Sequence, residues 1–432
     1  MPYNPLRLLH HSAVADMARR TKGRRWPASC PAGAPPLKVR GNLQGLGNRI
    51  GWYLTAAAVT EALGRSALYT SWPSAASQGV RGQGARDYDF GLVRQLVHFP
   101  AVVHFLEDVE THSSASSFRT REAWLKADSS VPIRLANGSG LYAESIPFHP
   151  RPYVNDYVPE CAWAMLEGWT KRRLTRLPVG CIARDAFLHA YRRVQSELRP
   201  RLPLCNPPPR SYVVLHIRRG DKAAWAERTE RLGRRDKLAE QLANATSLRQ
   251  LIPTVLARIP APFLVLTDAG VTYRQWVESE LVGAGLRVWT RRCEAACEAS
   301  SGCWTGGGRN DSVTPVAVDF FAILDAAGVV VVAPKGVGPG QGLQESSFAS
   351  VPALAGGAPH LTPVPYAMGG KMAMYQERGN GGRPLAGIFF LEGLHDFVRS
   401  VRFKLDPTAA RCGKGKGKGN ARPGCVTTRS TT

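Results

Sequence analysis

No apolar run in this 432-residue chain approaches the ~18 residues that a membrane-crossing helix needs, so no such span is expected. The opening stretch, MPYNPLRLLHHSAVADMARRTKGRRWPASC, has no apolar core of the kind a secretory signal carries. It is basic and poor in acids, which leaves an organelle transit peptide conceivable. The chain is therefore expected either to be soluble and not secreted, or to lack its targeting segment. Acidic residues are scarce as well: 33 Asp and Glu against 56 Lys and Arg, a net charge of +23. Such an excess favours a polyanionic partner, whether nucleic acid, an anionic membrane or a phosphorylated ligand. It also follows from a composition rich in Arg, Ala, Gly and Pro without any function, and both readings stay open. No RNA-binding signature is visible, and the basic residues are scattered rather than interleaved with aromatics, so no nucleic-acid partner is expected.

Cysteine is neither rare nor abundant. Nine are many for a cytosolic enzyme and too few for a disulfide-built scaffold. Cys293, Cys297 and Cys303 share one short segment, but without a nearby histidine or a fourth cysteine they make a poor zinc site. A loop disulfide or free thiols are the readings left. Three N-x-S/T sequons, at Asn137, Asn244 and Asn310, hint at a secretory route.

What is present reads as globular. Hydrophobic residues make up 44% and charged ones 21%, and the length exceeds what one core serves, which predicts two domains. Residues 1–36 form an irregular leader ending in PAGAPP. LKVRGN is a strand, NLQGLGNRIG a glycine-rich turn, IGWYLTAAAVTEALG a helix that Gly64 stops, and ALYTSW a second strand. Residues 75–160 carry no readable motif. PECAWAMLEGWTKRRLTRL and RDAFLHAYRRVQSELRP look helical. The proline-rich LPLCNPPPRS marks the junction between a first α/β domain over 37–205 and a second over 211–404.

The second domain alternates strands and helices: SYVVLHI, then a polar and mostly helical segment to about Arg258, PFLVLT, VTYRQWVESELVGAG, LRVWT, VTPVAVDFFAILDAAG, VVVVA and a helix opening at ESSFAS. That alternation predicts a parallel, doubly wound α/β sheet. Residues 405–432, with GKGKGKG, are expected to be disordered. In such a sheet ligands bind beyond the carboxyl ends of the strands. Three sets of residues fall there: His216, Arg218, Arg219, Asp221 and Lys222 after SYVVLHI; Asp268 after PFLVLT; and Ser346 and Ser347 after the loop that follows VVVVA. Free N–H groups at a helix start make an anion site, and two guanidinium groups grip the same anion with paired bonds. A diphosphate, and so a nucleotide sugar, is the natural guest. Side chains two apart on a strand share a face, so His216 and Arg218 would face together, while Arg219 braces the loop through Asp221. A merely solvated charged turn is the competing reading.

HIRRGDK, residues 216–222, resembles the H-x-R-R-x-D motif of the superfamily that holds the α1,2-, α1,6- and protein O-fucosyltransferases. GLGNRI, residues 45–50, is similar to that superfamily's first glycine-rich turn, and ESSFAS, residues 345–350, to its third motif. The resemblance spans residues 38–355. It implies a GT-B fold of two Rossmann-like domains facing a cleft, GDP-fucose as donor, no required metal or other cofactor, and a glycan or glycoprotein acceptor. It implies Arg218 as the diphosphate arginine and His216 as a nucleotide contact, with Asp268, Asp319, Ser346 and Ser347 lining the pocket and Gly45, Gly47 and Asn48 near the cleft. Lys222 joins the catalytic group. The α1,6 members carry a glutamate five residues after the motif aspartate; here that position is Ala226 and Glu227 follows. Glu227 is therefore the first candidate base and Asp221 the second. The family resides in the Golgi or endoplasmic reticulum lumen, mostly by a membrane anchor that this sequence does not display. The alternatives are a transferase for another nucleotide sugar, or a catalytically inactive nucleotide- or glycan-binding relative.

Overall fold

The computed structural model describes residues 35–41, 45–73, 89–109, 118–127, 131–146, 159, 162, 163, 166, 181–201, 206–218, 245–289, 313–332, 347–363 and 387–407. Most of the leader, the basic tail after residue 407, the Cys293–Cys303 segment and most of PECAWAMLEGWTKRRLTRL lie outside these residues, and Leu405, expected in the tail, closes the last described helix instead.

The first half runs β1 (Leu37–Lys38), α1 (Leu46–Ala62), β2 (Leu68–Thr70), α2 (Phe90–Leu96), β3 (Val97–His98), β4 (Val103–Phe105), α3 (Phe118–Lys126), β5 (Ile133–Arg134), β6 (Gly140–Leu141), β7 (Glu144–Ser145), α4 (Arg184–Glu197) and β8 (Arg199–Pro200). Four strands form a parallel sheet in the order β4-β2-β1-β7. Two small antiparallel pairs, β3 with β8 and β5 with β6, lie apart from it. Helix α1 begins earlier than its sequence suggests: Gly45 is the N-cap residue, and Gly47 and Asn48 stand in the first turn rather than in a loop. It ends where expected, with Gly64 at φ +67°, a left-handed conformation that costs glycine little. Every residue from Arg49 to Thr60 is buried. A helix so enclosed must satisfy its polar side chains locally. Thr55 and Thr60 donate to the carbonyls of Gly51 and Ala56, one turn back, at 3.0 and 2.8 Å.

The second half runs β9 (Val213–Ile217), α5 (Ala245–Thr254), β10 (Phe263–Thr267), α6 (Val271–Gly283), α7 (Val313–Leu324), β11 (Gly328–Val332), α8 (Ser347–Ala355), β12 (His360–Leu361), β13 (Ile388–Phe389) and α9 (Leu394–Leu405). Its five strands are all parallel, in the order β10-β9-β11-β12-β13. A parallel sheet is covered on both faces, which is why VVLHI is buried at every position. Tyr212, Val214, Leu264, Leu266, Val329 and Val331 pack under α7 and α8. Val213, Leu215, Ile217, Phe263 and Val265 face α5, α6 and α9.

The mixed α/β architecture with parallel sheets agrees with expectation. LRVWT does not form the expected strand. Only Val288 bridges Phe263, with Arg287 and Trp289 bonded to its backbone, because the segment runs along the sheet edge for three residues only. The described part of the proline-rich segment is docked rather than loose. Asn206 donates to the Val318 carbonyl at 3.3 Å, Arg210 to that of Asp325 at 2.7 Å, and the Tyr212 hydroxyl to that of Ala322 at 2.7 Å. One apolar core also runs from the first sheet and α1 into Ala317, Phe320 and Phe321 of α7 and Val351 of α8. No helix among the described residues is long and apolar enough to cross a membrane.

Candidate functional site

Counted along the chain, the five strands of the second sheet stand in the order 2-1-3-4-5. The connections leaving β9 and β11 depart in opposite directions, and the crevice at such a switch point is where doubly wound sheets bind ligands. His216 is the penultimate residue of β9, on that crevice. The ladder continues past the strand: Arg218 donates its N–H to the Val332 carbonyl at 3.0 Å, so the chain stays extended to the motif's first arginine. Arg218 is half-buried there.

His216 points to the face covered by α7 and α8. Its ring centre lies 5.8 Å from that of Phe348, the second residue of α8. Burial pushes its pKa down from 6.5 to about 4; nearby Asp268 opposes that shift and Arg218 reinforces it. The imidazole is therefore neutral at neutral pH. Asp268 follows β10 directly, exposed, beside the neighbouring strand end. Thus His216 feels the charges of Arg218 and Asp268 at two adjacent strand ends. Ser347 opens α8, whose first-turn N–H groups have no partner within the helix itself. Asp319 lies in the second turn of α7, half-buried. Arg219, Asp221, Lys222, Glu227 and Ser346 lie outside the described residues.

A second histidine belongs to this neighbourhood and was not legible as such. His360 opens β12, and its register with Val329, itself paired with Val214, puts it on the same face as His216. It is 1% exposed. Its Nδ1 lies 3.5 Å from Ser350 Oγ, and no hydrogen bond satisfies Nε2 among the described residues. Burial first, and the neighbouring His216 second, push its pKa down from 6.5 to about 4.

The first sheet carries a polar cluster of its own at its carboxyl ends, with strands in chain order 3-2-1-4. Gly45, Gly47 and Asn48 stand at the N-terminus of α1 here. Arg49, fully buried, donates to the Pro73 carbonyl at 2.8 Å and lies 5.0 Å from the Trp72 ring. Glu122 of α3 accepts from Arg40 Nε and from Ser71 Oγ, each at 2.9 Å. Glu107, just past β4, accepts from the Trp72 N–H at 3.0 Å, and burial pushes its carboxyl above the usual range. Its other oxygen and the Nε of Arg121 are both buried with no hydrogen-bond partner among the described residues. The run AVVHFLED had the signal that marks β9 and β10, an apolar stretch closed by charge, so Glu107 was findable. Its coupling to Arg121 was not. Helix α8 packs on both α1 and α4, so the third motif leans on the helix that the first motif opens.

No protein-family model matches the chain, and no curated protein sequence matches it.

Proposed function

We propose that this chain is a metal-independent, inverting glycosyltransferase of GT-B architecture that moves L-fucose from GDP-fucose to a hydroxyl of a glycan or protein. The observation that carries the reading is Arg218, held in strand geometry at the switch point of the second sheet beside a buried, neutral His216. In the reaction an acceptor oxygen bonds to the anomeric carbon on the face opposite the diphosphate. The bond from that carbon to the phosphate oxygen breaks, and GDP leaves with the electron pair. Negative charge builds on the leaving diphosphate, and the guanidinium of Arg218 with the first-turn N–H groups of α8 would meet it. His216 adds no charge at neutral pH, so its part is to contact the nucleotide rather than to neutralise the phosphates.

The acceptor's proton goes to a carboxylate. Glu227 is the first candidate on resemblance and Asp221 the second. Glu107, whose burial raises its proton affinity toward the working range of a general base, is a further carboxylate at the first sheet's carboxyl edge. The luminal setting implied by the family accords with Cys181, which is held in a disulfide.

The test is GDP release from GDP-fucose, without added metal, over a panel of acceptors that includes water. Turnover by the wild type and a fall of about a hundredfold or more in Arg218→Ala support the reading. GDP-dependent thermal stabilisation without turnover in any acceptor would reject the donor or the catalysis. Neither turnover nor stabilisation would reduce HIRRGDK to a charged turn.

A further inference from the structure

We propose that Asn137 is an acceptor for N-linked glycosylation. Asn137-Gly138-Ser139 is a sequon with no proline in its middle position, and of the three sequons it is the one that falls among the described residues. It forms the tip of the β5–β6 hairpin, where Leu135 donates to the Ser139 carbonyl at 2.8 Å and Gly138 to the Leu135 carbonyl at 2.9 Å. Gly138 takes φ +81°, and a side chain built there would meet nothing within 4 Å. All three residues are exposed.

The turn does more than present the asparagine. Ser139 donates to Asn137 Oδ1 twice, from its hydroxyl at 2.6 Å and from its backbone N–H at 3.0 Å. Two donors on Oδ1 draw charge onto that oxygen and acidify the hydrogens on Nδ2. Asn137 is exposed, and the serine of the sequon is the cause of the loosened amide proton. In the transfer, Nδ2 bonds to the anomeric carbon of an oligosaccharide carried on a lipid diphosphate. The bond from that carbon to the phosphate breaks, the lipid diphosphate leaves with the electron pair, and one amide proton passes to the transferase.

Two further features agree. Tyr142 and Val131, at the base of the same hairpin, are 53% and 49% exposed, an apolar surface that a glycan rooted at Asn137 would lie against. The disulfide at Cys181 belongs to an oxidising compartment, the kind in which this modification takes place.

The experiment expresses the full chain behind a cleavable secretion signal in eukaryotic cells. The product is digested with peptide N-glycosidase in heavy-oxygen water, and its peptides are mapped. A heavy-oxygen aspartate at position 137 is expected, with label retained in Ser139→Thr and lost in Ser139→Ala. Both variants keep the asparagine and differ from the wild type at an exposed turn position, so a folding defect does not mimic the pattern. An unlabelled position 137 in molecules whose Cys181 is disulfide-bonded, and which therefore reached the lumen, overturns the proposal, whatever happens at Asn244 or Asn310. Label that survives Ser139→Ala overturns the role given to the hydroxyl.

Discussion

Acid should destabilise this protein through two buried histidines. His216 and His360 are nearly inaccessible, and each has its pKa pushed from 6.5 to about 4 in the folded chain. The folded state refuses protons that the unfolded chain accepts. Stability is thus complete above the unfolded pKa of 6.5 and falls as pH drops from there toward 4. At pH 5 the unfolded chain has gained nearly a full proton at each site and the folded chain almost none, a loss of about 2 kcal/mol per histidine. Together the two would remove about 4 kcal/mol, against a total stability on the order of 5–15 kcal/mol for an ordinary protein. The assay is urea unfolding followed by tryptophan fluorescence, at pH values spaced between 7 and 5, for the wild type and His360→Met. Methionine fills a similar volume, needs no partner where Nε2 has none among the described residues, and cannot titrate. The variant should be about as stable as the wild type at pH 7 and should lose only about half as much on going to pH 5. Equal losses in the two proteins would refute the reasoning, since the pH dependence would then come from groups elsewhere.

Other substitutions test other parts of the structure. Arg218→Lys keeps a charge but loses the planar fork, so turnover should fall about tenfold or more while GDP-dependent stabilisation is largely kept, read by initial rates and thermal shift. Glu122→Ala strips Arg40 and Ser71 of their shared acceptor in a site where the Glu122 side chain is 6% exposed; a loss of about 3 kcal/mol by urea unfolding is expected, and Glu122→Gln should lose less. Gly356→Ala places a carbon 1.8 Å from the Leu324 carbonyl oxygen, so α8 must shift off α7, costing about 1–3 kcal/mol and lowering the melting temperature.

The three five-residue strands of the second sheet were legible because a parallel strand covered on both faces is an unbroken apolar run, and VVLHI, FLVLT and GVVVV are such runs. The charged residues closing the first two were equally plain, so the sequence alone puts His216, Arg218 and Asp268 at strand ends. Gly64 stopped its helix as written. Where a strand is only two residues long, as in β7, β12 and β13, no periodicity exists to read; such strands form because a neighbour offers its edge. The start of α1 was misplaced for a related reason. Its first turn reads as a glycine-rich loop, and it is helical in a setting where α4 and α8 bury the helix behind it.

The sequence by itself determined the kind of protein: alternating apolar strands and helices, parallel sheets, and basic chemistry gathered at the carboxyl end of a central strand. Local pattern suffices for that, since side-chain period and run length are properties of neighbours in the chain. Tertiary structure alone decided that His360 joins His216 on one face, that Glu122 holds Arg40 and Ser71, and that one oxygen of Glu107 and the Nε of Arg121 are left buried without hydrogen bonds among the described residues. Those pairings depend on strand order and on which helix covers which face, and both are fixed by packing between residues far apart in the chain.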